Sequence, residues 1–293
     1  MNPTGDVIAA GEAGGAMYMS RDGGATWTAG NSPSATWISS AMSASGSVVY
    51  ALEYGGAMYV SRDFGSSWTR LAAAPGNAGW EAVTTSQDGQ RVAAVVQNGA
   101  LMLSSNGGAT WRTAAMPDGQ PTHWWRWIDG SADGRVLVAV AHTGDIFRSA
   151  DAGATWQRLD AGAAENWYRV KVSADGSTIA VVANAFGGVS GTGIYVSRDG
   201  GANWTKGYSL VADYTFLAMS ADGRTIAATY SNAGSAPGGA VRSTNGGTSF
   251  TRLGMPTGDS DWRAIAMSAG GDRVAAAAGG FNTQTSGRLY TGR

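Results

Sequence analysis

Ser20-Arg21-Asp22-Gly23-Gly24-Ala25-Thr26-Trp27 opens a series of six eight-residue boxes with the pattern S-x-[DN]-x-G-x-[TSN]-[WF]. The others run Ser61 to Trp68, Ser104 to Trp111, Ser149 to Trp156, Ser197 to Trp204 and Ser243 to Phe250. Successive boxes stand 41 to 48 residues apart, the length of one four-stranded propeller blade. A second mark keeps the same register. An aromatic residue precedes a turn glycine by nine positions at Trp37/Gly46, Trp80/Gly89, Trp125/Gly134, Trp167/Gly176, Tyr214/Gly223 and Trp262/Gly271. Between them lies a Ser-x-[Asp/Ser/Gly]-Gly turn, as in Ser86-Gln87-Asp88-Gly89.

One unit parses into four strands. Trp37 to Ser43 is strand A, Val48 to Glu53 strand B, Ala57 to Ser61 strand C and Trp68 to Leu71 strand D. These segments are short, rich in Val, Ile, Tyr and Ala, and bounded by Gly and Asp turns. No segment has a helical period. The fold class is therefore all-β: a β-propeller of four-stranded antiparallel blades closed by box hairpins. Strands A and D occur six times, strands B and C seven times. A single domain over 1–293 is expected, with seven blades, the first lacking most of strand A and the last lacking strand D. Six closed blades with surplus strands, or a piece of a longer chain, are the alternatives. Incomplete blade edges are an association hazard, so a homo-oligomer is one expected outcome.

In each box the Asp or Asn oxygen should accept N–H groups of its own turn, and the Gly should take a backbone shape other residues resist. The closing Trp covers the turn, contributing roughly 2–3 kcal/mol on burial. The box residues read as turn locks, not as active sites.

The box resembles that of the bacterial neuraminidase-repeat, or Asp-box, propellers. That group includes sialidases, xyloglucan-degrading hydrolases, photosystem II assembly-factor-like proteins, sortilin-type receptors and sugar-binding propeller lectins. The resemblance implies the fold and leaves the function open, because its hosts do such different work. A sialidase would require a Phe-Arg-Ile-Pro-like motif, an arginine triad and a Tyr–Glu pair with an acid Asp. The nearest text, Ile146-Phe147-Arg148-Ser149, belongs to a strand C. Arg126, Arg169 and Arg263 do fall near the starts of strands A.

Composition narrows the partners. Of 20 basic residues only two, Lys171 and Lys206, are lysines, the net charge is −1 and no basic run occurs, so a nucleic-acid surface is not expected. The arginine bias, with the Ala and Gly richness, reads as coding bias of a GC-rich bacterial source. Cysteine is absent, which removes disulfide and thiolate chemistry. No apolar run reaches the length of a membrane span. Met1-Asn2-Pro3-Thr4-Gly5 has neither the basic flank nor the apolar stretch of a leader peptide. A secreted or periplasmic bacterial protein is expected, with the cytoplasm as the alternative.

Site candidates come from departures from the repeat. The A–B turns and boxes should share one face, the D–A and B–C loops the other, where the resemblance places ligands. Three B–C loops are lengthened by five or six residues and carry Phe186, Tyr230, Asn232, Phe281, Asn282 and Gln284. The strongest departure is Thr122-His123-Trp124-Trp125-Arg126-Trp127-Ile128-Asp129. His123 falls in the D–A loop and His142 in the B–C loop of the same unit. In the next unit Glu165, Tyr168, Arg169 and Lys171 stand around Trp167. One reading is an Asp129–Lys171 ion pair lining the channel, with two surface histidines. The other is a binding patch of Trp124, Arg126, Trp127, Glu165, Tyr168, Arg169 and Lys171, aromatic faces stacking on a ligand while Arg and Asp fix its polar groups.

The expected function is a non-catalytic binding propeller for a glycan or protein partner, without a cofactor. The alternative is a glycosidase or metal-assisted ester hydrolase using His123, His142 and Asp129. That alternative brings a divalent ion: zinc on the histidines with Asp129 or Glu165, or calcium on Glu12, Glu53, Glu81, Asp213, Asp259 and Asp261.

Overall fold

The computed structural model describes residues 1–72, 74, 78–142, 144–162, 166–184, 192–210, 212–231, 238–254, 262–279 and 288–292. Every regular element among them is a β-strand, and the strands follow one another in antiparallel meanders. Glycine and aspartate turns break the chain every few residues, so the expected unit appears as Ala35–Met42, Val49–Glu53, Met58–Ser61 and Thr69–Arg70. The chain is a β-propeller built of such four-stranded sheets. Three-stranded sheets stand at its two ends: Ile8–Gly11, Met17–Ser20 and Thr28–Ala29 at the start, and Trp262–Met267, Val274–Ala278 and Arg288–Gly292 at the end.

The core lies between neighbouring sheets rather than within any one of them. Tyr50, Leu52 and Met58 of one sheet pack on Trp80, Val83 and Val92 of the next. Trp80, Trp125, Trp167 and Trp262 are at most 1% exposed, and each burial contributes about 2–3 kcal/mol. Three of the six repeat aromatics also tie sheets by hydrogen bonds. The indole N–H groups of Trp37, Trp125 and Trp167 donate to the carbonyls of Gly15, Gly99 and Gly144 in the preceding unit's B–C turn.

The boxes are turn locks. Ser20 Oγ donates to Asp22 Oδ1 and accepts the Gly24 N–H, both at 2.8 Å, while Asp22 Oδ1 accepts the Thr26 N–H. The same three contacts recur in the box of Ser243, where Asn245 replaces the acid. Each box also bonds to the A–B turn of its own unit, as in Gly23 N to Asp6 O and Gly107 N to Gln90 O, which puts both on one face.

On that face the A–B turns are linked edge to edge. Ala44 N donates to Gln87 O, Gln87 to Ala132, Ala132 to Ala174, Ala174 to Ala221, Ala221 to Ala269 and Ala269 to Pro3, at 2.7 to 2.9 Å. Pro3 has no N–H to continue the series. Asn2 Nδ2 reaches Ala44 O instead, at 3.4 Å. Asn2 stands where the other turns carry serine: its Oδ1 accepts the Val7 N–H as Ser43 Oγ accepts that of Val48.

Candidate functional site

A β-bulge builds the opposite face. In six strands A the pairing slips by one residue just after the repeat aromatic: Trp37/Ser39, Trp80/Ala82, Trp125/Trp127, Trp167/Arg169, Tyr214/Phe216 and Trp262/Ala264. The extra residues are Ile38, Glu81, Arg126, Tyr168, Thr215 and Arg263. A bulge re-aims the side chain it carries. Because the neighbouring indoles bond to B–C turns, these residues stand at the end of the propeller away from the boxes. Three consecutive bulges therefore present Glu81, Arg126 and Tyr168 side by side.

Around them, rings and guanidinium groups alternate. The His142 ring stacks on Trp124 at 4.3 Å between centroids and 14° between planes. Arg126 Cζ lies 5.7 Å from the Trp124 ring and 5.4 Å from that of Tyr168. Arg169 Cζ lies 4.0 Å from Tyr168, 4.1 Å from Trp127 and 4.5 Å from Phe216. Each such contact is worth about 0.5–2 kcal/mol, more when desolvated. The ladder crosses three units, and Trp124, 39% exposed, is its outward end.

The charges in the ladder are poorly matched. Glu81 Oε1 is 3.7 Å from Arg126 Nη1, an ion pair too long for a hydrogen bond. Burial pushes the Glu81 carboxyl above its ordinary range, against the pull of Arg126 and Arg169. Burial also lowers the Arg169 guanidinium and the His142 imidazole, with Arg126 adding to the second effect. The Nε atoms of Arg126 and Arg169 are buried and have no hydrogen-bond partner. Arg169 Nη1 donates to the neighbouring Tyr168 carbonyl at 3.1 Å.

The sequence-derived candidates separate into three sets. Trp124, Arg126, Trp127, Tyr168, Arg169 and His142 meet in the ladder. Asp129 and Lys171 pair at 3.2 Å further along their strands, and Asp129 also accepts the Val172 N–H at 2.9 Å. His123 goes elsewhere. It begins the strand His123–Gly130, which reaches back to pair with Gln97 and Gly99 of the previous unit. That extension buries its side chain to 6% exposure against Trp125 and Phe147, with Asp118 at 2.9 Å. The expectation of two surface histidines is corrected for His123, because strand pairing turns the supposed loop inward.

Glu165 lies outside the described residues, as do Asp259, Asp261, Phe186, Asn232, Phe281, Asn282 and Gln284. Phe216 and the pairing of Glu81 with Arg126 are additions that the sequence reading did not make. Aligning the residue after each repeat aromatic would have shown Glu81, Arg126 and Tyr168 as equivalents. Among the described residues no group of three or more His, Cys, Asp or Glu is placed to share a metal ion, and no helix is long and apolar enough to cross a membrane.

Solved structures share this architecture. YCF48 bound to D1 peptide aligns with a TM-score of 0.66 at 14% identity, covering 92% of this chain and 86% of that one. YCF48 from Cyanidioschyzon merolae gives 0.67 at 15% identity, covering 94% and 90%. The GH74 xyloglucanase from Xanthomonas campestris gives 0.66 at 17% identity, covering 97% of this chain but 45% of the enzyme. At these identities the likeness is one of fold. No curated protein matches the sequence significantly. The family described as the DUF6242 beta propeller domain matches residues 17–235. The chain belongs to that beta-propeller family.

Proposed function

We propose that this is a seven-bladed, non-catalytic binding propeller of the Asp-box type that takes a protein partner on the face opposite the boxes, at the Arg126–Arg169 ladder. Seven turns joined in series from Pro3 round to Ala269, and linked through Asn2 to Ala44, support the blade number. The six boxes and their shared hydrogen bonds support the Asp-box reading.

The observation that carries the choice of partner is the occupancy of the ring faces. A sugar site needs an open aromatic face on which a pyranose can lie. Here Trp127, Tyr168 and Phe216 are faced by Arg169, and Trp124 by His142 and Arg126. What the rings leave uncovered is the in-plane polar edge of the guanidinium groups, with Arg126 Nε and Arg169 Nε unpartnered, which suits hydrogen bonding to a polypeptide. YCF48, similar in fold, has been solved with a peptide. The hydrolase alternative finds less support. A glycosidase works with two carboxylates, and Asp129 is engaged by Lys171 and the Val172 N–H. The zinc and calcium alternatives belong to that same reading.

The test sets arrays of peptides and of glycans against the purified chain, with chromogenic glycosides and esters alongside. Peptide capture that is lost in Trp124→Ala is expected. Capture on glycans without capture on peptides would overturn the protein-partner reading. Turnover of a chromogenic substrate that is lost in Asp129→Asn would overturn the non-catalytic one.

A further inference from the structure

We infer that the group this face takes from its partner is a carboxylate, and that Glu81 is the chain's own carboxylate standing in that place until the partner arrives. The inference rests on the binding reading above and adds the chemistry of the contact.

Three observations point the same way. First, the ladder contains two guanidinium groups and, among the described residues in contact with it, one acid. Asp129 does not offset them, because Lys171 and the Val172 N–H already hold it. His142 adds no acid and is pushed toward its neutral form by burial. Second, the guanidinium faces are covered by rings, so new bonds can form only in the plane of each fork. Arg126 Nε and Arg169 Nε are both buried without a partner, and Arg169 as a residue is only 8% exposed. Third, the acid that is present fits badly. Glu81 Oε1 stands 3.7 Å from Arg126 Nη1, beyond hydrogen-bond reach.

A carboxylate matches a guanidinium fork through two parallel N–H···O bonds. Glu81 is held by its own strand, Trp80–Thr85, at a spacing that allows attraction but not that geometry. A carboxylate from outside carries no such tether. It would bond in the plane of Arg126 and displace Glu81 from the guanidinium. Arg169 would act as a positioning residue. Packed between Tyr168, Trp127 and Phe216, it keeps the Tyr168 ring against Arg126 and supplies the second positive charge. The carboxylate could be a chain end or an acidic side chain, and the experiment tells these apart.

The intact chain, labelled at arginine and tryptophan nitrogens, is titrated at constant ionic strength. The probes are N-acetylglycine for a chain end, N-acetylisoglutamine for an acidic side chain, N-acetylglycinamide as the neutral control and inorganic phosphate as a competing anion. The readouts are the Nε–H signal of Arg126 and the indole N–H signal of Trp124. Both carboxylates should shift these signals and the amide should not, the tighter carboxylate naming the source. Glu81→Gln should tighten carboxylate binding about tenfold by removing the like charge. Arg126→Lys, which keeps the charge and loses the fork, should weaken it about tenfold, and serves alone if Glu81→Gln does not fold.

Equal shifts with acid and amide, tighter binding of phosphate, or unchanged carboxylate binding in Glu81→Gln would overturn the inference. Peptide capture lost in Trp124→Ala without a carboxylate preference would leave the protein-partner reading standing and remove only this one. Absence of peptide capture would remove the reading itself.

Discussion

Asn2 Nδ2 donates to the carbonyl of Ala44 at the link where Pro3, lacking an N–H, cannot. This contact joins the first described turn to the second, while Ala269 N donates to Pro3 O from the other end of the chain. One side chain thus does two things at the seam. Its oxygen shapes its own turn through the Val7 N–H, and its nitrogen holds the neighbouring turn. Ring closure depends on such long-range contacts, which fix distant parts of the chain at the cost of chain entropy.

Asn2→Ala should therefore destabilise the fold by about 1–3 kcal/mol, since it leaves a buried N–H and a carbonyl without partners. Asn2→Ser should cost less, because serine at this place restores the turn bond but not the link to Ala44. Urea denaturation midpoints of the three proteins check the order.

The repeat aromatics allow a comparison inside one molecule. Trp167 and Trp80 are both 1% exposed, but Trp167 Nε1 donates to Gly144 O whereas Trp80 Nε1 has no hydrogen-bond partner. Trp167→Phe should cost about 1–2 kcal/mol more than Trp80→Phe, the difference being one buried hydrogen bond. Equal losses in a denaturant series would show that the indole bond adds nothing to packing.

Ala152 occupies the fourth place of its box with φ +59°, where four other boxes have glycine at φ +65° to +72°. A Cβ is strained in that region, and the backbone bonds of Ala152 to Arg135 and Arg112 do not need it. Ala152→Gly is expected to stabilise the chain by about 0.5–1 kcal/mol, read as a rise in the urea midpoint.

Acid should weaken the boxes in a defined window. The hydroxyls of Thr26, Ser67 and Thr155 hold Asp22, Asp63 and Asp151 down to about 2, and the Asn203 N–H does so for Asp199. An unfolded aspartate titrates near pH ~4. The depressed folded value means that this stabilisation is complete above about pH 4 and is lost as pH falls toward about 2. Replacing the four acids by asparagine, as in the Asn106 and Asn245 boxes, should flatten the loss of stability across that range.

Glu81 carries the opposite sign. Its folded pKa is raised, so its ionised form costs stability, a cost absent below the unfolded value near pH ~4 and complete above the raised folded one. Glu81→Gln should melt higher than the parent at pH 7 and no higher at pH 4. A lower melting temperature at pH 7 would mean that Arg126 stabilises the carboxylate more than burial penalises it.

The box lock, the strand breaks and the A-to-D order were legible from Ser20 to Trp27 and its copies because they depend on contacts within a few residues. The candidate patch was partly legible. Trp124, Arg126, Trp127, Tyr168 and Arg169 departed from the repeat, and the structure places them in one ladder. His123 misled because it sits next to Trp124 in sequence, yet alternation along a paired strand sends the two side chains to opposite sides. His142 stacks on Trp124, while His123 packs on Trp125 and Phe147.

By itself the sequence determined the architecture, since a hairpin of defined turn chemistry repeated at blade length admits little else. It also determined that the boxes are structural, because Ser, Asp and Gly at those offsets satisfy one another. The tertiary structure decided which neighbours meet. A one-residue bulge after each repeat aromatic, invisible without the facing strand, turns Glu81, Arg126 and Tyr168 toward one another from three successive units. It alone shows that guanidinium groups cover the aromatic faces. A list of tryptophans suggests a surface for sugars, but the packing sets Arg126 against Trp124 and Arg169 against Trp127.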